Sequence, residues 1–306
     1  MAATEIELTP DQRLALETEL RALADDEFVL AERYVEWQVH APTLESDLAL
    51  ANIAQDELGH ARLWYDLLEE LGYDETDLLW ERAPETFRHA TLAELPFPEG
   101  EWADAIVRSY LFDVAEELRL EALAESAYPA IADRVGKIQR EEDYHVEHAE
   151  NWLERLADGD DGSDHLQDAV DRLFPHALAI FVPAEPVPFG AETVSADGSG
   201  AEPYTDGDAL PDAATVEETI VEEGYRTETL ATLGERWLDR VVPTLESYGL
   251  RTPVPADGDI TDELVPAACG RNGRHTDDWD ALYDDFTHTY RELGRDEATL
   301  IMDRPE

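Results

Sequence analysis

Residues 44–62, LESDLALANIAQDELGHAR, place a carboxylate and an imidazole on the apolar face of a long helix. The stripe Ile53, Glu57, His60, Trp64 recurs at intervals of three and four residues, as on one side of an α-helix. Burying a carboxylate and an imidazole in a core is costly unless something binds them. Glu57 and His60 therefore indicate a binding site inside a helical structure.

A second Glu-x-x-His pair, Glu142 and His145 in EEDYH, repeats this arrangement on another helix. Its stripe contains Val135, Ile138, Glu142, His145, Ala149 and Trp152. One such pair is expected by chance in so glutamate-rich a chain. The informative observation is that both pairs lie on the side of their helix that faces the core. Two such helices, with a further carboxylate on each of two others, form the ligand pattern of a two-metal site in a four-helix bundle.

Two other helical stripes supply the further carboxylates. The stripe Leu16, Leu20, Leu23, Glu27, Leu30, Tyr34 is interrupted by Glu27 alone, whereas the stripe Ile106, Tyr110, Leu120, Ala124 contains both Asp113 and Glu117. Periodicity also leaves open the neighbouring residues Asp26, Glu116, Glu147 and His148. Asp56 and Glu141, each directly before the Glu of a pair, are placed to accept the outer imidazole N–H groups. Four carboxylates and two imidazoles suit two iron or manganese ions.

The alternative interpretation is structural, with the two pairs as partly buried ions neutralised by Arg62 or Arg140. The other histidines lack a stripe context, and we interpret them as surface or capping residues: His40, His89, His165, His176, His275 and His288. Residues 270–273, GRNG, lack the strand and the lysine of a phosphate-binding loop and are interpreted as a turn.

Helical patterns cover most of the chain. Helices are expected at residues 10–40, 43–71, 101–128, 130–157 and 164–181, and again at 213–223, 227–248 and 277–293. Two helical hairpins joined by one long crossing are the topology of ferritin-like bundles. We therefore predict an all-α fold. It comprises a ferritin-like four-helix bundle over residues 1–182, an acidic loop or insertion over 183–211, and a C-terminal helical extension over 212–306 that packs on the bundle.

The composition is strongly acidic. The 306 residues include 73 acidic and 22 basic side chains, for a net charge of −51, and Lys137 is the only lysine. Nucleic acid and anionic membrane are excluded as partners, because both need clustered Lys and Arg. With 43% hydrophobic residues the chain can build a core, and acid spread over folded helices is typical of cytosolic proteins in high salt. An acidic N-terminus and the absence of a long apolar run predict a cytoplasmic protein without a membrane span.

Three stretches resemble the C subunits of phenylacetyl-CoA 1,2-epoxidases, the ferritin-like monooxygenases of phenylacetate catabolism. They are HAP at residues 40–42 with the stretch 44–62 that follows, WLERLADG at residues 152–159, and Gly270-x-x-Gly273-x-His275-Thr276. In that family the A subunit holds the di-iron centre and the C subunit supports it, in some members without metal ligands. The spacings from Glu27 to Glu57 and from Asp113 to Glu142 resemble the A subunit, and this resemblance selects Asp113 over Glu117.

The resemblance implies a component of a di-iron monooxygenase complex that epoxidises the aromatic ring of phenylacetyl-CoA. The implied partners are other subunits of that complex, above all a catalytic A-type subunit. The chain is expected to form a hetero-oligomer with them or a homodimer. The implied cofactor is di-iron, with manganese as the alternative metal. A free-standing di-iron or di-manganese oxidase or iron-handling bundle is the competing function. A ribonucleotide reductase small subunit is disfavoured because Trp64 stands where that family places its radical tyrosine.

Overall fold

Two antiparallel helical hairpins form the centre of the computed structural model, which describes residues 8–97, 101–159, 161–187, 204 and 209–293. The first hairpin consists of α1 (Pro10–Trp37) and α2 (Leu44–Glu70), and the second consists of α4 (Trp102–Leu123) and α5 (Pro129–Ala157). Extended helical contacts hold α1 to α2 and α4 to α5. Because the described residues contain helices and no strand, the prediction of an all-α, ferritin-like bundle is confirmed.

The segment that crosses between the hairpins is more structured than the sequence predicts. It contains a π-helical turn (Thr76–Trp80), a 3-10 turn (Pro84–Thr86) and the short helix α3 (Thr91–Glu94). Phe87 and Ala90 are fully buried in this segment. The crossing therefore contributes to the core instead of running over the surface.

The C-terminal part adds helices around the bundle. The sequence after α5 forms α6 (Gly162–Leu178) with a 3-10 turn (Ala179–Phe181), then α7 (Ala213–Glu222), α8 (Leu230–Ser247) and α9 (Asp277–Leu293). Helix α7 packs on α1, while α6 and α8 pack on α4. Most of the predicted acidic insertion at 183–211 lies outside the described residues.

Local capping chemistry sets the helix starts. Thr9 and Gln12 form a capping box at the start of α1, with Pro10 at the first helical position. The Thr43 side chain accepts a hydrogen bond from the Ser46 amide at the start of α2, and Thr229 caps α8 in the same way. Helix α8 therefore begins three positions later than predicted.

Two helix ends differ from the prediction. Helix α4 ends at Leu123 and not at Tyr128, because the Ala127 amide donates to the Gly224 carbonyl and the Thr227 amide donates to the Ala122 carbonyl. Helix α1 ends at Trp37 and not at His40, where a turn leads directly into α2. No helix in the described ranges has the length and apolarity needed to span a membrane.

Candidate metal centre

Six side chains from the four bundle helices meet in the middle of the core. Each of them is at most 1% exposed, and together they comprise Glu27 of α1, Glu57 and His60 of α2, Asp113 of α4, and Glu142 and His145 of α5. The helical phase of each stripe explains the convergence, because positions three and four apart share the face turned to the core. The structure thus brings together every residue that the sequence singles out as a metal ligand.

The six residues form two overlapping ligand groups. Ligand atoms of Glu27, Glu57, His60 and Glu142 all lie within 4.8 Å of one another, and so do those of Glu57, Asp113 and His145. Glu57 belongs to both groups. Glu142 Oε1 lies 3.2 Å from His60 Nδ1 and 3.3 Å from His145 Nδ1, so it also reaches both halves. Such an arrangement fits two cations that Glu57 and Glu142 would both help to hold.

The outer nitrogens of both imidazoles point to carboxylates across the α2–α5 boundary. His60 Nε2 of α2 lies 2.8 Å from Glu141 Oε2 of α5, and His145 Nε2 of α5 lies 3.5 Å from Asp56 Oδ2 of α2. A carboxylate that accepts a hydrogen bond from Nε2–H keeps the proton on that nitrogen and leaves Nδ1 free to bind a metal. Glu141 is within hydrogen-bond distance of His60, whereas Asp56 lies beside His145 without a hydrogen bond to it.

The inner polar atoms of this cluster have no hydrogen-bond partner in the described part of the chain. They are both carboxylate oxygens of Glu27, Glu57 and Glu142, Asp113 Oδ1, and Nδ1 of His60 and His145. Buried carboxylate oxygens without a partner are strongly unfavourable. A pair of hard divalent cations would supply the positive charge that this oxygen-rich donor set needs. These residues therefore fit the two-metal centre that the fold implies.

The protonation of the metal-free cluster reflects this crowding of negative charge. Burial raises the pKa of Glu27 well above its usual range, and the neighbouring Glu57 carboxylate raises it further. Burial also raises the pKa of Asp113, with Glu142 adding to the effect. Burial would lower the pKa of His60, but the negative charges of the nearby Glu142 and Glu57 carboxylates raise it to about 10. Protons thus supply the counter-charge, and a bound metal would displace them.

The alternative candidates from the sequence have other partners. Asp26 Oδ2 pairs with Arg119 at 2.7 Å and with Arg271 at 2.6 Å, and Glu117 pairs with Arg240 at 2.7 Å. Arg119 also contacts Glu116, while Glu147 is exposed and His148 is partly buried on α5.

The arginines of the structural interpretation do not neutralise the cluster. Arg62 pairs with Asp66, Glu69 and Glu75, and the Arg140 side chain donates to the Gly136 carbonyl. Neither arginine has an ion pair with Glu57 or Glu142 in the described ranges.

A second histidine–carboxylate cluster corrects the interpretation of His89 and His275 as surface or capping residues. His89 is fully buried, and its Nε2 lies 2.5 Å from Glu94 Oε2, which also lies 2.7 Å from His275 Nδ1. The Thr276 amide donates to Glu94 Oε1 at 2.6 Å. Glu94 is satisfied on both oxygens, unlike the carboxylates of the central cluster. This contact ties residues 275–276 to the crossing segment.

The other histidines outside the central cluster lie near the surface. His40, His165 and His288 are exposed, and His176 is partly buried with its Nδ1 2.9 Å from Thr91 Oγ1. The interpretation of these residues agrees with the structure. Residues 270–273 form a 3-10 turn, Gly270–Asn272, that ends at Gly273, as the sequence predicts.

Two residues beside the centre were not identified from the sequence as site residues. Ser109 Oγ donates to Asp113 Oδ2 at 2.6 Å and so orients the Asp113 carboxylate. Tyr34, which the α1 stripe already contained, is fully buried, and burial and the Asp113 charge raise its pKa well above the usual range. The position of Ser109 one turn before Asp113 is the signal that could have identified it.

Comparisons with known proteins identify a matching family and two similar proteins. A family model described as "Phenylacetic acid catabolic protein" matches residues 1–296. The C subunit of the 1,2-phenylacetyl-CoA epoxidase of Escherichia coli (strain K12) is 38% identical over 162 residues, which are 52% of this chain and 64% of that relative. The A subunit of the same enzyme is 26% identical over 220 residues, which are 72% of this chain and 62% of that relative.

These alignments cover just under two thirds of the length of each curated relative. Similarity to both proteins agrees with the sequence patterns, which resemble the C subunits over the chain and the A subunit at the ligand spacings. Because the family model spans nearly all of the sequence, the chain belongs to the phenylacetic acid catabolic protein family.

Proposed function

We propose that this chain is part of a multicomponent phenylacetyl-CoA epoxidase, in which it supports a catalytic A-type subunit while holding a di-iron centre of its own. The comparisons support the epoxidase assignment, since the named relatives are the C and A subunits of such an enzyme. They favour it over a free-standing iron-handling bundle. The single observation that carries the metal assignment is the set of buried, unpartnered carboxylate oxygens facing two imidazoles.

Some residues of the chain would bind the metals directly, and others would orient those ligands. Glu57 and Glu142 would contribute to both halves of the centre, and Glu27 with His60 and Asp113 with His145 would complete them. Glu141 would orient the His60 imidazole and Ser109 would orient Asp113, while Asp56 lies 3.5 Å from His145 Nε2. When bound, a di-iron centre supplies the redox chemistry for oxygen activation. The bundle core excludes bulk water from these groups.

Iron is the metal that we propose, because the family resemblance implies it, and manganese would use the same oxygen-rich donors. We expect ring epoxidation to depend on the A-type subunit, because the chain is similar to a C subunit at 38% identity and the resemblance implies that C subunits support the A subunit.

Metal loading tests the first part of the proposal. The purified chain, loaded anaerobically with ferrous iron and desalted, should retain about two irons per chain, as the ligand pattern requires. Glu57→Gln/His60→Gln should retain almost none, because both halves of the centre lose a donor. Glu147→Gln/His148→Gln changes the same two residue types one turn outside the centre and should load like the wild type. Equal iron content in all three proteins, or none in the wild type, would contradict the metal assignment.

Reconstitution with the A-type subunit of the same source organism tests the second part. The two proteins should co-elute as a complex, and a reductase with reduced nicotinamide should then support epoxidation of phenylacetyl-CoA. The chain alone should show no turnover. Full activity without the A-type subunit, or failure of the two proteins to associate, would refute the supporting role.

A further inference from the structure

A series of aromatic rings leads from the candidate metal centre toward the surface of the molecule. The ring centroids of Tyr34 and Phe97 are 6.3 Å apart, and Phe97 lies 4.8 Å from Trp37. Trp37 lies 6.4 Å from Trp102, which lies 5.6 Å from Trp152. Each separation lies in the range of interacting aromatic pairs. We call these five residues the aromatic series.

The inner end of the aromatic series lies beside the metal ligands. Tyr34 is fully buried and follows Glu27 by seven positions, so both side chains lie on the core-facing side of α1. Long side chains of a helix point back toward its N-terminus, which for Tyr34 is the direction of Glu27. Burial raises the pKa of the Tyr34 hydroxyl, and the Asp113 and Glu57 carboxylates raise it further, as nearby charges do.

The outer end of the aromatic series reaches solvent. Trp152 is partly exposed and lines an open depression of about 590 Å³ on α5. At a rise of about 1.5 Å per residue, Trp37 lies about 15 Å along α1 from Glu27, and Trp152 lies as far along α5 from Glu142. An electron crosses such a distance slowly in one step and rapidly through rings in contact. The aromatic series therefore offers a path for electrons between the metal centre and the surface.

Core packing alone does not explain the tryptophan at position 102. Trp102 Nε1 is buried and has no hydrogen-bond partner in the described part of the chain. A buried indole N–H usually has a partner, and phenylalanine would fill this space without leaving a donor unpaired. Tryptophan is, however, much easier to oxidise than phenylalanine. Three tryptophans in successive contact are what an electron-transfer path requires.

Two guanidinium groups determine where positive charge can reside in the aromatic series. Arg108 lies 4.0 Å from the centroid of Phe97, and Arg155 lies 4.6 Å from that of Trp152. A cation over a ring repels positive charge on that ring. Phe97 therefore acts only as a bridge between Tyr34 and Trp37. At Trp152 the same repulsion favours release of the indole N–H proton to water once an electron has left.

We propose that the aromatic series carries oxidising equivalents from the metal centre to Trp152 and so protects the metal ligands when oxygen reacts without substrate. This inference rests on the metal-holding part of the proposed function. Trp152 loses one electron and one proton; the proton goes to water, and the oxidised metals gain the electron. A soluble thiol then returns an electron and a proton to Trp152, and two such thiols end as one disulfide. Aromatic side chains give up electrons but do not accept them at biological potentials, so electrons move only inward.

Oxygenation of tryptophan in the iron-loaded chain tests this inference. The full-length chain, loaded with ferrous iron, is exposed to oxygen without phenylacetyl-CoA, reductase or thiol, and its peptides are quantified by mass spectrometry. Trp152 should become oxygenated, because its radical then combines with dissolved oxygen. Trp80 is also partly exposed but contacts a separate group of rings with Phe286 and Tyr290, so it should remain intact and report on oxidants in solution. The metal-free chain should show neither product.

Two matched substitutions locate the path. Trp102→Phe keeps an aromatic ring in the core but removes the oxidisable indole, so oxygenation of Trp152 should fall several-fold at unchanged iron content. Trp80→Phe makes the same substitution outside the aromatic series and should leave oxygenation of Trp152 unchanged. Electron paramagnetic resonance of samples frozen early in the reaction should show a tryptophan radical in the wild type and in Trp80→Phe, and a weaker one in Trp102→Phe.

The outcomes separate this inference from the proposed function. If the wild type retains no iron, the metal assignment fails and this inference fails with it. If iron is retained but Trp152 and Trp80 are oxygenated equally, or the metal-free chain reacts alike, the aromatic series is not the path and the metal assignment stands. Unchanged oxygenation of Trp152 in Trp102→Phe has the same meaning. If that variant does not fold, Trp37→Phe interrupts the series one contact nearer the centre and is interpreted in the same way.

Discussion

Asp26 and Glu27 show that burial alone does not determine the energetic role of a carboxylate. These adjacent residues of α1 are both fully buried. Asp26 receives hydrogen bonds from Arg119, Arg271 and the Ala90 amide at 2.6–2.7 Å, whereas Glu27 has no partner for either oxygen in the described residues. Asp26 therefore stabilises the fold, while Glu27 is costly in the metal-free protein and useful only when a cation is bound.

Opposite effects on stability are expected from the two amide substitutions. In chelator-treated protein, Asp26→Asn should lower the free energy of unfolding by about 3–5 kcal/mol, because Arg119 and Arg271 lose a buried counter-charge. Glu27→Gln should raise it by roughly 1–3 kcal/mol, because Glu27, whose pKa burial raises, must take up a proton on folding, whereas glutamine is already neutral. Urea unfolding monitored by circular dichroism measures both values. Metal should stabilise the wild type but not Glu27→Gln, and a destabilised metal-free Glu27→Gln would contradict a metal-binding role.

At the level of elements, the turn at residues 270–273 holds the C-terminal segment against the crossing between the hairpins. A Cβ at Gly270 would lie 2.1 Å from the His89 carbonyl oxygen, and Gly273 has a φ of 72°, in the left-handed region that favours glycine. The Arg271 side chain enters the core and donates to the Arg88 carbonyl and to Asp26. Both glycines of the motif are thus explained by close approach and by backbone conformation.

Alanine at Gly270 should therefore be far more damaging than alanine in an open helical position. Gly270→Ala should destabilise the protein by at least about 2 kcal/mol, because the backbone at His89 must move away from the new methyl group. Gly136→Ala, in the middle of α5 with no atom within 4 Å of the added carbon, should stabilise it by about 0.5–1 kcal/mol. Thermal unfolding of the two variants beside the wild type measures this contrast. Equal effects would show that the turn is not tightly packed.

The same elements show how far the sequence predicts the structure. The position of a residue around one helix is local information, so the stripes place Glu27, Glu57 and Glu142 on inward faces, where the structure has them. On α4 the stripe left both Asp113 and Glu117 open, and only the family resemblance selected Asp113, which is the buried one. Contacts between distant segments carry no such local signal. Glu94 meets His275 across 181 positions, and α4 ends early because residues 224–227 compete for its last backbone groups. The second histidine cluster and the end of α4 were therefore beyond sequence reasoning.

For the whole molecule, 73 acidic against 22 basic residues make self-repulsion the dominant electrostatic effect. Most of the described basic side chains form ion pairs. Many of these pairs are buried, such as Arg82 with Asp25 and Arg226 with Glu19. The remaining surface carboxylates, including Glu218 and Glu222 one turn apart on α7, have few cations to balance them. Screening by dissolved salt would therefore reduce their mutual repulsion.

The melting temperature should therefore rise as potassium chloride increases from about 0.1 M to about 2 M, because the screening length falls from about 10 Å to below about 3 Å over that range. Glu218→Gln/Glu222→Gln removes a like-charge pair and the unfavourable charge at the C-terminal end of α7, so it should stabilise the protein by about 0.5–1 kcal/mol at low salt. That gain should disappear at high salt, where screening already removes the repulsion. Calorimetric melting of both proteins across the salt series measures the difference. A gain that persists undiminished at high salt would show that helix propensity, and not charge repulsion, is responsible.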